Sequence, residues 1–303
     1  MIRVLLGIIS IILIWGYTWV TMKIAIRDIP PFLFASLRLL IGAIALFIIL
    51  KVQRKRLSIG KENLKPYLIM SLLMPLGYLG VTTYGMQFVD SGKSSVLVYT
   101  MPIFVTIISH FKLNEKINMY KMIGLIFGLI GLLFILGIEL INFDKKVVFG
   151  ELLLLISALC WASANVYSKL NFKNKDIIQM NAWQCFMGAI FLLIISLILE
   201  TNPSIQWSNE AILSTLFNGL FSTAFTFVVW FWVLNKIDAS KASMALMFVP
   251  ILGLIFGWLQ LGEKITFNII IGSFFICASI FMIAYRFKSA SKSTSIKKLR
   301  DVS

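Results

Sequence analysis

The chain has 303 residues, 59% of them hydrophobic and only 14% charged, with a mean hydropathy of +0.91. So little polar surface cannot cover a soluble globule, and the composition defines an all-α integral membrane protein whose surroundings are the lipid bilayer. A net charge of +15 would suggest nucleic acid in a soluble protein, but here the basic residues sit in short loops and a tail, where they set topology, so a nucleic-acid partner is excluded.

Ten apolar runs reach the roughly 20 residues that a helix needs to cross about 30 Å of hydrocarbon. They cover residues 4–24, 32–51, 66–89, 91–111, 119–138, 149–170, 177–199, 210–235, 239–261 and 267–286. Backbone groups in lipid must be satisfied within the segment, and the runs lack the alternation of barrel strands, so they read as transmembrane helices. The first is expected to stay as a helix and not to be removed as a leader, since it holds Trp15, Tyr17 and Trp19, exceeds the usual apolar core of a leader and lacks a convincing small-residue cleavage site. Pro30-Pro31 and Pro66 stand at helix starts, where a missing N–H costs nothing. Cys160, Cys185 and Cys277 lie singly in apolar runs and read as small hydrophobes; neither a metal site nor a cofactor is implied. Of 28 Lys and Arg, 21 fall at the two termini and the even-numbered loops, six on the opposite face and Arg38 within a span. The bias predicts a multi-pass protein of the cell membrane with both termini cytoplasmic.

The chain repeats itself. Asp90, Lys93, Ser95, Pro102, Glu115, Lys116 and Gly124 recur 148 residues later as Asp238, Lys241, Ser243, Pro250, Glu263, Lys264 and Gly272. Trp15, Lys23 and Gly42-Ala43-Ile44 recur 146 residues later as Trp161, Lys169 and Gly188-Ala189-Ile190. Matched charges, prolines and glycines are far more telling than matched apolar residues. We expect two five-helix units, residues 1–142 and 143–288, followed by a basic cytoplasmic tail over 289–303. An odd number of helices inverts the second unit, the arrangement of secondary transporters whose substrate sites lie where the halves meet.

Trp15-Gly16 with Lys23, the segment from Pro31 to Arg38, Lys93 to Ser95, Pro102, Asn114-Glu115, and in the second copy Trp161, Asn165, Pro250 and Gly262-Glu263 resemble the drug/metabolite transporter superfamily, EamA type. The resemblance covers nearly the whole chain. It implies a ten-helix bundle with a central cavity lined by helices 1, 3, 4, 6, 8 and 9, which moves a small amino-acid-like or drug-like metabolite by alternating access, with export as the expected direction. A membrane receptor or scaffold is the alternative, separable by uptake of a labelled substrate into vesicles. An intramembrane enzyme would need paired carboxylates, a histidine cluster or an activated nucleophile within the spans. No enzyme activity is expected, and the sequence sets no oligomeric state.

The expected substrate contacts are Trp15, Thr18, Tyr78, Tyr99, Met101, Trp161, Asn165, Trp230 and Met247. Each aromatic also has a plain packing role, so the expectation rests on the set. Pro102 and Pro250 interrupt helices in mid-span and are expected to bend them beside the cavity as gates, because freed carbonyls are tolerated in lipid only where protein or a watered cavity covers them. A charge within a span costs roughly 2.5 to 3.5 kcal/mol on insertion scales. Arg38 is therefore read as a carboxylate contact or as a side chain that snorkels or binds helix-end carbonyls, the second being preferred because the family carries Arg there across many substrates. His110, the only histidine, reads as interfacial, and Glu115 and Glu263 as anions placed at the starts of the helices that follow them. The acids are expected at span ends and in loops, held ionised by solvent, which predicts a carrier that works without a membrane-embedded carboxylate.

Overall fold

The computed structural model describes residues 2–60, 64–113, 117–142, 144–173, 175–201, 204–236, 246 and 248–284. Among them run ten helices and no strand: α1 (Ile2–Asp28), α2 (Pro31–Val52), α3 (Leu64–Gly85), α4 (Ser91–Leu113), α5 (Met119–Asn142), α6 (Lys145–Asn171), α7 (Ile177–Leu199), α8 (Asn209–Val233), α9 (Phe248–Leu261) and α10 (Phe267–Ala284). The first eight are long and apolar enough to cross a membrane; α9 and α10 are shorter apolar helices. Met247, Asp238, Lys241, Ser243, Glu115, Lys116 and the basic tail lie outside the described residues.

Local chemistry sets the helix starts. Pro31 opens α2 after Pro30. Asp144 caps α6 by accepting from Lys146 N and Val147 N, Asp176 caps α7 through Ile178 N and Gln179 N, and Ser208 caps α8 through Ala211 N. Two helices widen into π-turns, α3 over Leu72–Gly80 around Pro75 and α8 over Asn218–Phe225, and these stretches begin 146 residues apart. Helix α4 is interrupted at Tyr99 and Thr100, just before Pro102, where Thr100 N bonds to Leu97 O and Ile103 N to Thr100 O.

Small residues let the helices approach. In α5 the stripe Gly124, Gly128 and Gly131 lies against Ser279, Ile276 and Gly272 of α10, while Met122, Ile126, Leu129 and Leu133 on the opposite side are exposed, as a lipid-facing row would be. Helices α5 and α10 pair at one flank of the bundle and α2 and α7 at another, leaving α1, α3, α4, α6, α8 and α9 in mutual contact between them. Residues 29–30, 86–90, 200–201, 204–208 and 262–266 gather at one end, termed here the Asp90 face, through bonds such as Gln206 N to Asp28 O and Phe32 N to the Glu200 carboxylate. Residues 53–60, 172–173 and 175–176 gather at the other, the Lys55 face, joined by the Lys55–Asp176 ion pair at 2.6 Å.

Candidate substrate-binding site

Trp15 of α1 stands at the centre of the bundle. Its ring centroid lies 5.9 Å from Trp161 of α6, 5.8 Å from Trp230 and 6.4 Å from Phe227, both of α8. Trp161 stacks on Tyr78 of α3 at 4.6 Å and meets Tyr99 of α4 edge-on at 5.5 Å, and Trp19 adds a further edge contact to Tyr99 at 6.4 Å. Five helices thus contribute to one aromatic cluster, and irregular backbone helps to shape it: Tyr78 sits in the π-turn of α3 and Tyr99 in the break of α4. Asn165 of α6 donates its amide to Met101 Sδ at 3.6 Å, which joins these two expected contacts in a second pair between α4 and α6.

A polar node attaches to the cluster on the α8 side. Trp15 Nε1 donates to the Ser222 carbonyl at 3.2 Å, Thr18 to Ser222 Oγ at 2.8 Å, and Arg38 Nη2 to the same Oγ at 3.1 Å. Ser222 and Thr223 were not among the expected contacts. Their only sequence signal is a pair of small hydroxyl residues inside an apolar run. Three donors around this centre, Arg38 Nη1, Trp161 Nε1 and Trp230 Nε1, are buried with no hydrogen-bond partner among the described residues. An unmade buried hydrogen bond costs about 1–3 kcal/mol, so three in one region call for a functional explanation.

The structure corrects three expectations. Arg38, 2% exposed, neither snorkels nor binds helix-end carbonyls; its Nε and Nη2 donate to Thr223 Oγ1 and Ser222 Oγ and tie α2 to α8. Glu263 does not serve the helix that follows it. Its carboxylate accepts from Ser91 N at 2.7 Å and Gly92 N at 2.9 Å, so it caps α4, whose positive end it neutralises. Glu200 does the same for α2, accepting from Phe32 N and Leu33 N. Glu151, expected to be held ionised by solvent, is 1% exposed and forms an ion pair with Lys93 inside the bundle. His110 is exposed in the last turn of α4, consistent with an interfacial place. Pro102 follows the break in α4 and is buried, as is Pro250, whose carbonyl lies 3.4 Å from the Ser95 hydroxyl of α4.

A model of the EamA-like transporter family matches the chain twice, over residues 2–137 and 148–285. The chain belongs to the EamA-like transporter family. It is 66% identical over 287 residues to the uncharacterized transporter YoaV of Bacillus subtilis, covering 95% of this chain and 98% of that one. A "Probable amino-acid metabolite efflux pump" of Salmonella typhimurium is 23% identical over 296 residues, covering 92% and 93%. One solved crystal structure superposes with a TM-score of 0.69 at 18% identity, over 95% of this chain and 99% of that one, which shows a shared fold. This EamA-like protein is accordingly a multi-pass membrane transporter. Its helices α1, α3, α4, α6 and α8 carry the aromatic cluster.

Proposed function

We propose that this transporter moves a small metabolite with an aromatic or apolar body and a hydrogen-bond-accepting group, by alternating access around the cluster of Trp15, Tyr78, Tyr99, Trp161 and Trp230. The observation that carries the reading is the meeting of these residues, from five helices, beside three buried donors without partners. Ring faces suit an apolar body, while the Trp161 and Trp230 N–H groups and the Arg38 guanidinium suit an acceptor such as a carboxylate or carbonyl. Amino-acid-like molecules combine both features, and the printed name of the Salmonella relative points the same way and to export.

Two inverted five-helix units, residues 1–142 and 143–288, underlie the cycle. This reading is supported by the double family match, by the π-turns 146 residues apart, and by pairings of helices five positions apart, α2 with α7 and α5 with α10. The bends at Pro102 and Pro250 are the moving gates, and the Lys55 face is cytoplasmic, as the basic bias requires.

The test is transport by the purified chain in proteoliposomes, with a panel of labelled amino acids and small aromatic metabolites. Saturable movement of at least one panel member is expected, slowed by Pro102→Ala and by Pro250→Ala. Wild-type rates in both proline variants would remove the gate assignment, and no saturable movement of any panel member would remove the substrate class. Orientation is read from single cysteines at Lys55 and Ser204: an impermeant thiol reagent applied to intact cells is expected to reach only the second, and labelling of the first alone would invert the topology.

A further inference from the structure

The ion pair of Lys93 and Glu151 lies away from the aromatic cluster, and nothing in the site above uses it. Glu151 is the seventh residue of α6 and Lys93 the third of α4, and the two side chains are 1% and 6% exposed. Along the helices, Trp161 lies about 15 Å beyond Glu151 and Tyr99 about 9 Å beyond Lys93, at 1.5 Å per residue. The pair therefore stands between the cluster and the Asp90 face.

Its surroundings make it the closing element of that face. Lys93 occupies the first turn of α4, where the helix dipole disfavours a cation. The nearby Glu263 carboxylate is committed to Ser91 N and Gly92 N, and Glu151 of α6 supplies the anion for Lys93. On its other side the start of α4 is pressed against α9: a Cβ on Gly253 would sit 2.9 Å from Ser95 Cβ, and one on Gly92 would sit 3.0 Å from the Leu254 backbone. Lys23 of α1 holds the adjacent turn through the carbonyls of Met86 and Val89. Four helices thus close on one another around buried charge.

We propose that Lys93 and Glu151 are positioning residues that form a charge latch, which shuts the Asp90 face in this conformation and parts once in every transport cycle. The latch rests on the carrier reading above, but its test does not. A buried ion pair adds little net stability over an apolar pair of similar size, so it is a poor staple for the fold. It is a good latch. Water entering an opened face solvates each separated charge and offsets the lost attraction, whereas an apolar pair would resist exposure.

The experiment uses the full chain in nanodiscs, with Cys160, Cys185 and Cys277 replaced by Ser or Ala, and carries one reporter cysteine at a time. Ser95→Cys lies in the closed seam, and Ser109→Cys is buried toward the other end of α4. Reaction with a membrane-impermeant maleimide is followed without substrate. With the native pair both reporters should react slowly. Glu151→Gln should speed labelling at Ser95→Cys at least about tenfold while Ser109→Cys stays protected, and the exchanged pair Lys93→Glu with Glu151→Lys should return the first rate to near its starting value. Lys93→Gln provides the mirror of Glu151→Gln if the latter does not fold. Unchanged labelling at Ser95→Cys, acceleration at both reporters, or a rise that the exchanged pair does not reverse would each overturn the latch. A chain that shows the expected contrast yet moves no panel substrate would keep the latch and lose the substrate class.

Discussion

The two ends of the bundle are tied by different physics. At the Asp90 face the ties are charged, buried or half-buried, and made between residues far apart in sequence: Glu200 on the start of α2, Glu263 on the start of α4, and Lys93 with Glu151. At the Lys55 face the ion pair of Lys55 and Asp176 leaves side chains 42% and 31% exposed, and its neighbours are neutral bonds from Gln179 to the carbonyls of Arg56 and Ser58 and from Trp183 to that of Leu57. Charge-assisted bonds are worth about twice neutral ones, and an exposed pair is worth about 0–1 kcal/mol. The comparison teaches that one end is closed by interactions that are costly to break singly and the other by interactions that water and salt already weaken.

The contrast can be broken or sharpened by single substitutions, read as thermal unfolding of the purified protein. Glu151→Ala should give the largest loss, about 3–5 kcal/mol, because it removes the carboxylate that faces a buried ammonium. Next come Glu200→Ala and Glu263→Ala, each expected to cost about 1–2 kcal/mol for the loss of a helix cap. On the Lys55 face Trp183→Phe should cost about 1 kcal/mol through one neutral hydrogen bond. Lys55→Ala should have the smallest effect, no more than ~0.5 kcal/mol and abolished by high salt. A larger loss from Lys55→Ala than from Glu263→Ala would reverse the comparison.

Acid sharpens the same contrast at the Lys55 face. Burial disfavours the ionised Asp176, but the Lys55 ammonium and the N–H groups of Gln179 and Ile178 outweigh it and hold the carboxyl below its ordinary 3.8. A depressed carboxylate contributes stability above its unfolded value and loses it as pH falls through the lower folded one. The cap of α7 should therefore persist to pH about 4 and fail below it, and Asp176→Asn should remove that acid step in a titration of unfolding.

Much of this was legible in the sequence, and the remainder has physical reasons. Helix count and class follow from apolar runs, because the bilayer enforces length. Trp15, Tyr78, Tyr99, Trp161 and Trp230 could be named as a set because they lie in the helices that the family resemblance places around the cavity. What the sequence did not reveal was which helices touch. Glu263 lies four residues before α10, so local reasoning gave its charge to that helix, whereas folding gives it to α4. Glu151 stands near a span end, and only the packing of α6 on α4 buries it against Lys93. Ser222 carries no charge or ring to mark it, yet it bonds Trp15, Thr18 and Arg38. Pro75 could have flagged the π-turn of α3, but the turn of α8 holds no proline at all.

The central claim is that the aromatic cluster receives the substrate. Its most direct measurement is counterflow in proteoliposomes for the wild type, Trp161→Ala and Trp15→Phe, with the substrate that the panel identifies. The prediction is a KM raised at least about tenfold in Trp161→Ala, where stacking with Tyr78 and contact with Tyr99 are lost, and a smaller rise in Trp15→Phe, which keeps a ring but loses the bond to Ser222. Saturable transport with an unchanged KM in both variants would contradict it.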